Sequence, residues 1–70
     1  MPNLLEYHIG RLKDNNREVR LKSINELRLL GDPAAMEPLE QVFKTDTDVE
    51  VRKAAQEAGR EIFVKQKSKS

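Results

Sequence analysis

Val19-Arg20 recurs as Val51-Arg52, 32 residues later, and each copy enters a helix-periodic stretch just after a short turn rich in Asn and Asp. A supersecondary unit repeated at such an interval cannot bury its apolar face alone, so neighbouring units stack and present an extended surface. This constraint sets the expected fold: an all-α chain of four helices, paired as two antiparallel hairpins over about residues 3–30 and 33–64.

The local pattern supports each helix. Leu5, Ile9 and Leu12 fall on one face of a first helix over about 3–13, with Pro2 or Asn3 suited to its start. Asp14-Asn15-Asn16 then breaks the pattern, and Asn16 is the expected cap of a second helix over about 17–30. Its inward positions are Val19, Ser23, Ile24, Leu27 and Leu30. Gly31-Asp32-Pro33 ends that helix with a glycine for a left-handed stop, an aspartate for the next cap and a proline for the first helical position. A third helix over about 33–44 turns Ala35, Met36, Leu39, Val42 and Phe43 inward, and Pro38 should bend it or restart it there. Thr45-Asp46-Thr47-Asp48 repeats the turn chemistry, with Asp48 in the capping place of Asn16. The fourth helix, about 49–64, buries Val51, Ala55, Ala58 and Ile62, a set small in volume. Residues 65–70 carry Lys65, Lys67 and Lys69 with no apolar anchor, so a basic, disordered tail is expected beyond a single domain of residues 1–64.

These residues also carry a resemblance. Val19-Arg20 through Leu30-Gly31-Asp32-Pro33, followed by Ala35, Pro38 and Leu39, is similar to the short HEAT-like repeat. That family has a valine-arginine near the start of its second helix, a glycine-aspartate-proline linker and a proline in the next unit. The nearest subtype resembles the repeats of phycobilisome lyase-like proteins. The resemblance implies an α-solenoid acting as a noncatalytic interaction module or adaptor. In the lyase-like subtype it implies an accessory role in pigment–protein assembly. Two departures stand out: Gly59 occupies the place of Leu27, leaving the last helix underpacked, and two units are fewer than the roughly three that usually bury a continuous core.

Composition narrows the function further. The 70 residues include 20 large aliphatic, methionine and phenylalanine side chains and no cysteine, so packing alone must stabilise the fold. Domains of this size gain only about 3–5 kcal/mol from a single core, which favours help from self-association or a partner. A mean hydropathy of −0.74 would suggest disorder were the apolar residues not periodic. The formal charge of +1 gives no whole-molecule field towards nucleic acid, and the Lys tail is expected to bind phosphates weakly at most. Tyr7, Phe43 and Phe63 are too few for a base-stacking platform. No run reaches the roughly 18 apolar residues of a membrane span, and the default location is cytoplasmic.

The chemistry-bearing residues read as architecture. His8 stands alone, without cysteine or a second histidine, so no metal site is expected. Ser23 sits at a core position, and Ser68 and Ser70 in the tail, so no nucleophilic triad forms with His8. Gly10, Gly31 and Gly59 make no phosphate-binding loop. No enzyme activity, cofactor or small-molecule substrate is therefore read from the sequence. Arg20 and Arg52 lie near helix N-termini, where the helix dipole disfavours cations, and should pair with Asp14, Asp46 or Asp48. Ile62, Phe63 and Val64 point about 100° apart and cannot all be buried in one layer, so this end is the expected surface for self-association or partner docking. Leu21 and Leu29 form a second candidate stripe. The outward positions Lys22, Asn25, Glu26, Lys53, Glu57 and Glu61 are mixed in sign and should line the inner curve of a longer solenoid.

Overall fold

In a computed structural model, residues 3–68 are described, and they form four α-helices. Helix α1 spans Leu4–Arg11, α2 Arg17–Leu30, α3 Met36–Thr45 and α4 Val49–Ser68. Pro2, Lys69 and Ser70 lie outside the described residues. The starts of α1, α2 and α4 follow from their caps. Asn3 accepts a hydrogen bond from the Leu5 amide at 2.8 Å, Asn16 from Glu18 at 2.9 Å, and Asp48 from Glu50 at 2.8 Å. These bonds satisfy donors that the first turn of a helix leaves open.

The two turns within the hairpins are built alike. Asp14 accepts from the Asn16 amide at 2.8 Å, and Asp46, 32 residues on, accepts from the Asp48 amide at 2.9 Å. Between the hairpins, Gly31 adopts φ 67°, a left-handed conformation that a side chain would disfavour, and its amide closes α2 on the Leu27 carbonyl at 3.1 Å. Asp32 caps the next segment by accepting from Ala34 at 2.8 Å.

That segment differs from expectation. Pro33–Ala35 form a single 3-10 turn, and the α-helix begins at Met36. Pro38 therefore occupies the third position of α3, where no intrahelical acceptor is available for an amide and its missing donor costs nothing. The restart expected at Pro38 occurs two residues earlier.

Helix α1 packs on α2, α3 on α4, and α2 lies alongside α4 to join the hairpins. The core runs through both: Leu12, Ile24, Leu27, Ala35, Leu39, Val42, Val51, Ala55, Ala58 and Ile62 are buried together, with Leu5, Ile9 and Leu21 packed against them. Leu30, expected inward, is 46% exposed. Eight residues of α1 reach only about 12 Å along the roughly 21 Å of α2, so the last turn of α2 overhangs its partner.

The C-terminal segment is a second correction. Lys65 to Ser68, expected to be a disordered tail, continue α4. Gln66 Nε2 donates to the Gly31 carbonyl at 3.3 Å, Lys67 Nζ lies 5.4 Å from the Phe63 ring centre, and the Ser68 hydroxyl donates to the Val64 carbonyl. These contacts order the last turn without an aliphatic anchor. Among the described residues, no helix is long and apolar enough to cross a membrane.

Candidate functional site

Arginines of α2 hold the hairpins together. Arg20 Nη1 donates to the carbonyls of Asp14 at 2.9 Å and Asn15 at 3.1 Å, and Nη2 to Asp46 Oδ1 at 3.4 Å. Its Nε lies 2.9 Å from Asp46 Oδ2 but too oblique to hydrogen-bond, so that contact is ionic. The two side chains are only 15% and 9% exposed, so water screens the pair weakly. One planar fork thereby ties the α1–α2 turn to the α3–α4 turn.

Arg17, which the sequence pattern did not single out, supplies a second bridge. Its Nε donates to Asp48 Oδ2 at 2.6 Å. That bond, with amides of Val51 and Glu50 donating to the same carboxylate and the Arg17 charge beside it, holds the Asp48 carboxyl below its usual range. The Arg17 guanidinium is raised in turn, chiefly by its hydrogen bond to Asp48. No repeat signal could expose Arg17, because Val49 stands 32 residues on. Arg28 adds an exposed pair with Glu61 at 3.3 Å.

Arg52 departs from the expected aspartate pairing. Its Nε donates to the Phe43 carbonyl at 3.0 Å, a bond within its own hairpin. Asp46 and Asp48 both face the arginines of α2, so the second copy of the Val-Arg signature ties α4 to α3 instead.

The surface residues expected to meet a partner divide into two sets. Ile62 is fully buried in the core, and Leu21 is half-buried with Ile24 and Ala54 between α2 and α4. Ile62 is therefore closed to docking, while Leu21 lines a groove between α2 and α4. Phe63 and Val64 are each 52% exposed and Leu29 is 59% exposed. Phe63 adjoins a feature that the sequence pattern did not locate: a groove of about 290 Å³ between α3 and α4. Buried Ala55 forms its floor, half-buried Met36, Phe43 and Gly59 its walls, and exposed Glu40 and Arg60 stand on its lips. Met36 and Phe43, expected inward, pack half-buried against the core and also wall this groove. A Cβ built on Gly59 would meet nothing within 4 Å, so the underpacking expected there is an open dent on the surface, not a hole in the core.

A family model for HEAT repeats matches residues 1–59. The chain belongs to the HEAT-repeat family. Members of this family are generally protein-interaction modules and typically noncatalytic. No curated protein and no solved structure matches the chain.

Proposed function

We propose that this HEAT-repeat chain is a noncatalytic protein-docking module whose contact surface is the outer face of α3 and α4. The observation that carries the reading is the dent over Gly59, walled by Met36 and Phe43, with Phe63 exposed one turn further along α4. A glycine in mid-helix costs about 0.5–1 kcal/mol relative to alanine. No positive φ and no crowding within the chain requires glycine at position 59. A close approach from outside supplies the reason that the interior lacks. Half-exposed aromatics beside a largely apolar groove, with Gln56, Glu40 and Arg60 as its polar margin, are the anchors and rim expected of a protein contact.

The test compares immobilised wild type, Gly59→Trp, which fills the groove, and Leu29→Ser as a control elsewhere, for polypeptides captured from extracts of the source cells. The reading predicts a captured polypeptide that Gly59→Trp loses and Leu29→Ser keeps. Equal capture by all three, or capture by none, refutes it.

A further inference from the structure

The α3–α4 face can be compared with the face that α1–α2 presents to its neighbour, because the 32-residue register relates them. Against α4, α2 offers Leu21, Ile24 and Leu27, of which Ile24 and Leu27 are buried. The equivalent positions of α4 are Lys53, Gln56 and Gly59. A third hairpin laid on α3–α4 in the same manner would meet a polar surface with a dent in it. From the other side, Ala54 and Ala58 of α4 permit close approach to α2, while their equivalents in α2 are Lys22 and Glu26. Head-to-tail stacking of two copies would press Lys53 and Gln56 towards Lys22 and Glu26, without the aliphatic contacts that join the hairpins here.

The same face is instead complementary to itself. Gly59 and Phe63 are four residues apart, so the dent and the exposed ring share one face of α4, one turn apart. The groove, at about 290 Å³, exceeds the roughly 150 Å³ of a cavity known to take a benzene ring. Its lips carry opposite charges: Glu40 on α3, 59% exposed and only weakly paired with Lys44 at 3.4 Å, and exposed Arg60 on α4. An isologous contact requires a surface that supplies both members of each interaction, and this one has ring and pocket, acid and base.

We propose that the α3–α4 face is a two-fold homodimer interface, in which Phe63 of each copy enters the groove over Gly59 of the other and Arg60 of each copy faces Glu40 of the other. The proposal rests on the reading of this face as the docking surface and names its occupant as a second copy of the chain. The contact is small, with one aromatic anchor per copy, and belongs with exchangeable dimers rather than permanent ones.

Sedimentation equilibrium of the purified chain from about 1 μM to about 1 mM, a range spanning micromolar to millimolar association, tests it. The wild type dimerises within that range. Phe63→Glu and Gly59→Trp each weaken the dimer by roughly tenfold or more, as loss of an aromatic anchor or its pocket does. Phe63→Glu leaves the monomer's helical circular dichroism unchanged, because the ring is half-exposed and the introduced carboxylate would stand four residues before Lys67, in the favourable order for a helical ion pair. Glu40→Arg and Arg60→Glu each weaken the dimer, and the double exchange restores it. A chain monomeric throughout, a dimer indifferent to Phe63→Glu and Gly59→Trp, or a double exchange as weak as either single variant overturns the proposal. If the pure chain is monomeric yet capture from extracts still depends on the groove, the docking reading stands and the second copy alone is eliminated.

Discussion

Arg20 and Arg52 occupy equivalent places in the two hairpins, yet replacing each by alanine should have unequal consequences. Arg20→Ala leaves the Asp46 carboxylate, 9% exposed, without its counter-charge and with only the Asp48 amide donating to it among the described residues, and removes the donor to the Asp14 and Asn15 carbonyls. Breaking a fully buried ion pair from one side costs about 3–5 kcal/mol. Arg20 is 15% exposed and a groove lined by Asp14, Asn15 and Thr47 adjoins the pair, so water reaches the stranded carboxylate and the cost falls to about 2–3 kcal/mol. Arg52 is exposed and, among the described residues, donates to the Phe43 carbonyl alone, so Arg52→Ala should cost about 0.5–1 kcal/mol. With a urea dependence of about 1 kcal/mol per M for a small domain, the midpoints should drop by about 2–3 M and by less than about 1 M. Against a total of about 3–5 kcal/mol, Arg20→Ala leaves the domain close to unfolding. The assay is urea unfolding followed by helical circular dichroism, at a concentration low enough to keep the chain monomeric. Equal losses for the two variants would refute the assignment of Arg20 as the tie between hairpins. So would an Arg20→Ala, Asp46→Ala double variant whose loss is the simple sum of the singles.

Three further outcomes follow from the geometry. The folded Asp48 carboxyl is lowered, so it takes up its proton less readily in the folded state. Its contribution to stability is complete above the ordinary carboxylate range and is lost as pH falls through that range towards the lowered value. Thermal melts between about pH 7 and about pH 3 should therefore show a shallower acid-side decline for Asp48→Asn than for wild type, and parallel declines would contradict this. Gly31→Ala forces a side chain into φ 67° and should lower stability by about 1 kcal/mol, or more. Gly59→Ala meets open space in mid-helix and should raise monomer stability by about 0.5–1 kcal/mol, so calorimetry giving the two alanines shifts of the same sign would be inconsistent with the assigned backbones.

Caps and turns were legible because their residues act on their own neighbourhood. Asn16, Gly31, Asp32 and Asp48 each satisfy or close a backbone group within a few positions, and each does so here. Helix ends set by distant contacts were not legible: α4 runs past position 64 because Gln66 reaches the Gly31 carbonyl, 35 residues away. Periodicity placed most of the core but misplaced Leu30, since the burial of a helix's last turn depends on the length of its partner. Arg20 finding Asp46 was foreseeable from dipole chemistry, whereas Arg17 finding Asp48 was not, because its equivalent is Val49. The groove escaped notice for a related reason. Met36 and Phe43 satisfy the helical period of α3 and pack against the core, and only the placement of α4 shows that they also wall an open dent.

The most direct measurement of the docking surface is a concentration series of amide chemical shifts on the uniformly labelled chain. Interaction through the outer face of α3 and α4 predicts that shifts moving with concentration cluster at Met36, Phe43, Gly59 and Phe63, while Tyr7, Leu29 and Leu30, exposed elsewhere, stay fixed. Movement concentrated at Tyr7, Leu29 or Leu30, with the Gly59 groove unchanged, would contradict it.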